Sequence, residues 1–215
     1  MRLKYTLVTD GSSDKALLPI LDWLCKEHFQ LAIEGQWFDP RPFAPPTLTL
    51  HQSIIRSVEL YPCNILFIHR DAESNSYQTR RDEIVCTVQS LNDYDKQIPY
   101  ICVIPVRMTE AWLLSDETAI RRAAGNPNGK MRLDLPSIRE ADSVQNPKET
   151  LFQALKDASG RNSRRLKKLN LSVCRHRVAE LVSDFSPLRL LDAFNRLEND
   201  IRQVRREMGK DLSQF

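Results

Sequence analysis

The run Asn64-Ile65-Leu66-Phe67-Ile68-His69-Arg70 is apolar and β-prone, and it stops abruptly in two carboxylates one residue apart, Asp71 and Glu73. Strands of open α/β sheets present ligands at their C-terminal ends. A pair of acids leaving such an edge offers hard oxygen donors to a divalent cation, which directs attention to phosphate chemistry.

The rest of the first half fits this frame, because β-rich runs alternate with helical patterns, as in a mostly parallel sheet covered by helices. Strands are expected at Leu3 to Thr9, Leu31 to Phe38, Asn64 to His69 and Pro99 to Pro105. Between them, Leu17, Leu18, Leu21 and Leu24 recur at helical spacing behind a cap at Ser13 or Asp14. A second helix opens at Thr47 or Thr49 and ends before Pro62, and a third covers Tyr77 to Leu91. The proline-rich stretch from Asp39 to Pro46 is expected to be an extended loop. A short helix follows the fourth strand and restarts at Asp116.

Beyond Gly125 the turn cluster Asn126-Pro127-Asn128-Gly129 and an aperiodic stretch mark a boundary, so the expected division is 1–124 and 125–215. The second part is expected to be a helical subdomain. Asn146-Pro147-Lys148-Glu149 is a strong helix start, and Ser186-Pro187 is expected to open a long helix reaching about Met208. Between them lies the basic run Arg161, Arg164, Arg165, Lys167 and Lys168.

Composition narrows the class. With 215 residues, 41% hydrophobic and 27% charged, the chain has the makeup of an ordinary globular protein with one sizeable core. The net charge of +3 is too mild to announce nucleic-acid binding by itself. Five cysteines without a C-x-x-C pair read as reduced thiols, neither a disulfide framework nor a zinc site. The apolar stretch near Met1 is too short for a signal peptide, and no later one suits a membrane span, so a cytoplasmic location is expected. There is no G-x-x-x-x-G-K-[ST] loop and no G-x-S-x-G elbow.

Acids cluster at the expected strand ends: Asp10 and Asp14 after the first, Asp71 and Glu73 after the third, Glu110 after the fourth. Any one of them is ordinary as a cap or turn residue. A parallel sheet, however, turns all these ends toward one edge, where several carboxylates would repel one another without a cation. His69 and Arg70 adjoin the pair and could orient a ligand or touch a phosphate, although a strand-end histidine is more often structural. Arg80 and Arg81 are weaker candidates for a nucleic-acid backbone, because Asp82 and Glu83 beside them suggest a solvated face. The run from Arg161 to Lys168 is the best electrostatic footprint for DNA or RNA.

The turn Asp10-Gly11-Ser12-Ser13-Asp14 after one strand and Asp71-Ala72-Glu73 after another resemble the TOPRIM domain of topoisomerases, primases and overcoming-lysogenization-defect nucleases. Glu110-Ala111-Trp112-Leu113-Leu114-Ser115-Asp116 is similar to a segment of stand-alone bacterial TOPRIM-like proteins, which are often encoded beside an ATPase and associated with defence against phage. The resemblance spans about residues 1–124. It implies Mg²⁺ or Mn²⁺ as cofactor, with Asp10 as general acid/base or first metal ligand, Asp71 and Glu73 as the metal pair and Glu110 as an additional ligand; Asp14 is a further candidate metal ligand. The chain has aspartate at position 10 where the family has glutamate, and Glu73 where the family has a second aspartate. Two functions follow as expectations. One is a metal-dependent nuclease or nuclease subunit of an anti-phage system, acting on DNA or RNA with a partner ATPase, as a monomer or a homo-oligomer. The other is a catalytically silent module of the same fold that binds or regulates an ATPase.

Overall fold

The computed structural model describes residues 2–43, 48–72, 75–92, 97–106 and 109–212. Four parallel strands, β1 (Arg2–Val8), β2 (Ala32–Phe38), β3 (Ile65–His69) and β4 (Tyr100–Val103), form one sheet in the order β2-β1-β3-β4. The chain is thus α/β, with helices on both faces.

Alternation along the central strands decides which side chain meets which layer. Leu3, Tyr5 and Leu7 of β1, with Ile65 and Phe67 of β3, enter one core; Val8, Leu66 and Ile68 enter the other. Burial on both faces is what a parallel sheet requires of its central strands. The second face is covered by α2 (Leu50–Leu60) and α3 (Tyr77–Gln89), through Ile54, Val58, Ile84 and Val88. Thr49 caps α2: its hydroxyl accepts from Gln52 N–H at 3.2 Å, and the Gln52 amide oxygen accepts from Thr49 N–H at 2.9 Å.

The first face is covered by α1 (Leu18–Phe29) and by elements that follow β4. These are α4 (Thr109–Leu113), α5 (Glu117–Ala123), α6 (Pro147–Ser159), α8 (Leu171–Leu181) and α9 (Asp192–Leu212), while α7 (Ser163–Leu166), between α6 and α8, buries none of its residues. A single apolar core runs from Leu3 to Val204, and the fully buried Trp112 meets Phe194 edge to face at 5.5 Å.

Three local expectations are corrected. The long helix expected from Ser186 begins at Asp192, because Ser186–Leu190 is a 3₁₀ turn and Leu191 is extended. The first helix is preceded by another 3₁₀ turn, Ser12–Leu17, which starts after Gly11 instead of behind a Ser13 or Asp14 cap. Arg41–Phe43 makes a short 3₁₀ turn inside the proline-rich segment, where proline forbids a regular α-helix but tolerates one tight turn. Residues 44–47 of that segment, including Thr47, lie outside the described residues.

The β1–β2 pair holds a tight constraint. Tyr5 is opposite Gly35, and a β-carbon at Gly35 would overlap the Tyr5 ring. That ring cannot yield, since it is fully buried, packs on Phe67 at 5.1 Å, and its hydroxyl donates to Asp22 Oδ1 at 2.8 Å. Burial, reinforced by the charge of Asp22, pushes the Tyr5 phenol far above its ordinary value and keeps it a donor. Gly35→Ala is expected to destabilise the fold by about 1–3 kcal/mol through overpacking, read from urea unfolding.

Glu198 ties α9 to the rest of the first face. Its carboxylate accepts from Arg189 Nη2 at 2.7 Å, lies 2.9 Å from His28 Nε2 on α1, and is 3.0 Å from Arg202 Nη2. Burial alone would raise its pKa, but hydrogen bonds from Arg189 and His28 and the charges of Arg189 and Arg202 outweigh it, so the carboxyl lies below its ordinary value. A lowered folded value means that this stabilisation is fully present above the unfolded pKa of about 4.3 and is lost as pH falls through the folded value. Glu198→Gln is therefore expected to lower stability at neutral pH and to flatten its decline below about pH 4.3, measured as unfolding midpoints across pH.

Candidate metal centre

The loop leaving β1 is built by short-range hydrogen bonds. Thr9 Oγ1 donates to the Gly11 carbonyl at 3.0 Å and accepts from the Trp37 indole at 3.0 Å. Asp14, on the 3₁₀ turn, is 7% exposed and reaches back: Oδ2 accepts from Gly11 N–H at 3.2 Å and Oδ1 from the Ser13 hydroxyl at 2.9 Å. Its carboxylate is thereby aimed at the end of β3.

There the strand exits of β3 and β4 remain bonded beyond the sheet. Arg70 N–H donates to the Val103 carbonyl at 3.2 Å and Ala72 N–H to the Pro105 carbonyl at 3.1 Å. The ring of His69, 2% exposed, puts Nδ1 2.9 Å from the same Val103 carbonyl. A carbonyl can only accept, so Nδ1 carries the hydrogen, and in the neutral ring Nε2 presents a lone pair. Nε2 faces acids: it is 3.5 Å from Asp71 Oδ1 and 3.8 Å from Asp14 Oδ2.

One donor atom from each of Asp14, His69 and Asp71 lies within 4.8 Å of the other two, and this group could hold a metal ion. Two carboxylate charges within that distance repel by at least about 3.5 kcal/mol at an effective dielectric near 20. A cation between them converts the repulsion into attraction. The carbonyl-anchored imidazole is also the usual outer support of a ligating histidine.

The other acids are placed differently. Asp10 is exposed and ion-paired with Arg70, whose second amino group donates to Glu83 on α3 at 2.7 Å. Arg80 continues this network, donating from Nε to the Asp71 carbonyl at 3.0 Å and from Nη1 to Glu83 at 2.9 Å. Glu83, expected on a solvated turn, is instead half-buried between two arginines. Glu110 is buried in α4, and its Oε1 accepts from Arg175 Nη1 on α8 at 2.8 Å. Glu73 lies outside the described residues.

Arg161, Arg164, Arg165, Lys167 and Lys168 are all exposed, on and around α7, and Arg81 is exposed on α3. A cleft of about 550 Å³ adjoins the β3 exit, bounded by Ala72, Ser76, Tyr77, Ile104, Arg139 and Arg196. Arg196 stacks over the Tyr77 ring at 4.5 Å.

His69, read from the strand pattern as more often structural, is the member of the cluster that was not among the expected metal ligands. The available signal was its spacing of two from Asp71, which puts both on the same side of an extended chain. All five cysteines are free thiols, and burial pushes Cys25 and Cys102 up to about 12. No helix among the described residues is long and apolar enough to cross a membrane. Comparisons with protein-family models, with curated proteins and with solved structures find no match.

Proposed function

We propose that the protein is a TOPRIM-like, metal-dependent nuclease or nuclease subunit that hydrolyses phosphodiester bonds with Mg²⁺ or Mn²⁺. The observation that carries this reading is the convergence of Asp14, His69 and Asp71 at the C-terminal edge of a parallel sheet. The three side chains would hold the ion and leave coordination positions for water and a phosphate oxygen. When bound there, such an ion polarises a phosphoryl oxygen and lowers the pKa of a bound water.

The chain's own residues supply the remainder. Gly11 N–H and the Ser13 hydroxyl fix Asp14, Arg80 fixes the Asp71 backbone, and the Val103 carbonyl fixes the His69 ring. Asp10, exposed and paired with Arg70, would take a proton, and the exposed basic run around α7 would supply phosphate contacts. Anti-phage defence with a partner ATPase is the setting the sequence resemblance suggests.

One observation favours the silent-module reading: Asp10 and Glu110, two acids of the resembled pattern, are already paired with Arg70 and Arg175. Incubating purified protein with supercoiled plasmid and with RNA in Mg²⁺ or Mn²⁺ separates the readings. Cleavage abolished by chelator supports the nuclease; intact substrate in both metals, alone and with a partner ATPase, supports the silent module.

A further inference from the structure

We infer that His69 is a nitrogen ligand and that the Asp14–His69–Asp71 set selects a first-row transition ion over Mg²⁺. This rests on the metal-site reading above and concerns which ion the site takes. The resembled family pattern consists of carboxylates alone, so the nitrogen donor comes from the geometry of this chain.

Three features carry the inference. His69 is almost fully buried at 2% exposure, so its ring has little alternative use as a solvated surface group. Its Nδ1 is committed to the Val103 carbonyl at 2.9 Å, which turns Nε2 toward the two acids, where it can offer a lone pair to an ion. The distances of 3.5 and 3.8 Å from Nε2 to the carboxylates exceed a good hydrogen bond. They suit oxygen and nitrogen atoms arranged about a common ion at about 2.0–2.2 Å from each.

Imidazole is a borderline-soft donor that suits first-row transition ions, whereas Mg²⁺ prefers oxygens and keeps several waters. One nitrogen with two carboxylates therefore discriminates between ions that an all-carboxylate site would take more evenly.

The test is isothermal titration of the full chain with MnCl₂, CoCl₂ and MgCl₂. Co²⁺ is expected to bind at least about tenfold more tightly than Mg²⁺, with Mn²⁺ between them. In His69→Gln that ratio is expected to collapse toward one, because the affinity for Co²⁺ falls more than the affinity for Mg²⁺. A proton NMR spectrum of the Co²⁺-loaded wild-type chain supplies a second readout that needs no variant. Ligation through Nε2 is expected to give one hyperfine-shifted exchangeable resonance, the Nδ1 proton shielded by the Val103 carbonyl. Equal affinities, or Co²⁺ binding without that resonance, overturns the inference and leaves the metal site standing. Absence of binding by all three ions overturns both.

Discussion

Asp71→Ala is expected to abolish metal-dependent cleavage while leaving the fold intact. Asp71 follows β3 at a partly exposed position outside the apolar core, so truncating it removes no packing. It does remove one of two carboxylates in a three-residue donor set. Changing merely an outer support of a metal ligand costs about 10–100-fold in affinity or activity, so losing a ligand should cost at least about 100-fold. Plasmid cleavage in Mn²⁺ and an unchanged circular dichroism spectrum are the measurements. A variant that cuts as fast as the parent removes Asp71 from the active centre. Asp10→Ala provides the contrast, because Asp10 lies outside the cluster and bonds to Arg70. Its loss is expected to slow cleavage without weakening metal binding.

Arg175→Met is expected to destabilise the protein by about 3–5 kcal/mol, the cost of leaving one partner of a buried ion pair behind. Glu110 and Arg175 are both nearly inaccessible, with side chains 4% and 6% exposed. Methionine keeps much of the length and apolar volume of the arginine stem, so the loss measures the stranded Glu110 carboxylate more than a cavity. Combining it with Glu110→Leu is expected to restore most of the stability, since replacing both charges with apolar groups of similar size is often neutral. Urea midpoints of the two variants decide the matter. A drop below about 1 kcal/mol in Arg175→Met would mean that the pair behaves as a solvated surface bridge.

Much of the local structure was legible in the residues. The four strands fall where β-rich runs end at prolines, acids or turn residues, and Thr49, Asp116 and Asn146 cap the helices they announce. These features depend on neighbours within about four residues, and sequence spacing records such neighbours directly. The 3₁₀ turns at Ser12–Leu17 and Ser186–Leu190 carry helix-start signals for the same reason, and such a signal does not distinguish a tight 3₁₀ turn from the first turn of an α-helix.

The sequence alone determined that acids stand at the exits of parallel strands, since strand ends and sheet type follow from local pattern and alternation. Only the tertiary structure decided which acids share a site. Asp10 finds Arg70 60 residues away, and Glu110 finds Arg175 65 residues away, while Asp14 and Asp71 meet over the ring of His69. A carboxylate's role is set by the nearest cation or donor in space, and charges interact through distance and burial, neither of which sequence separation encodes.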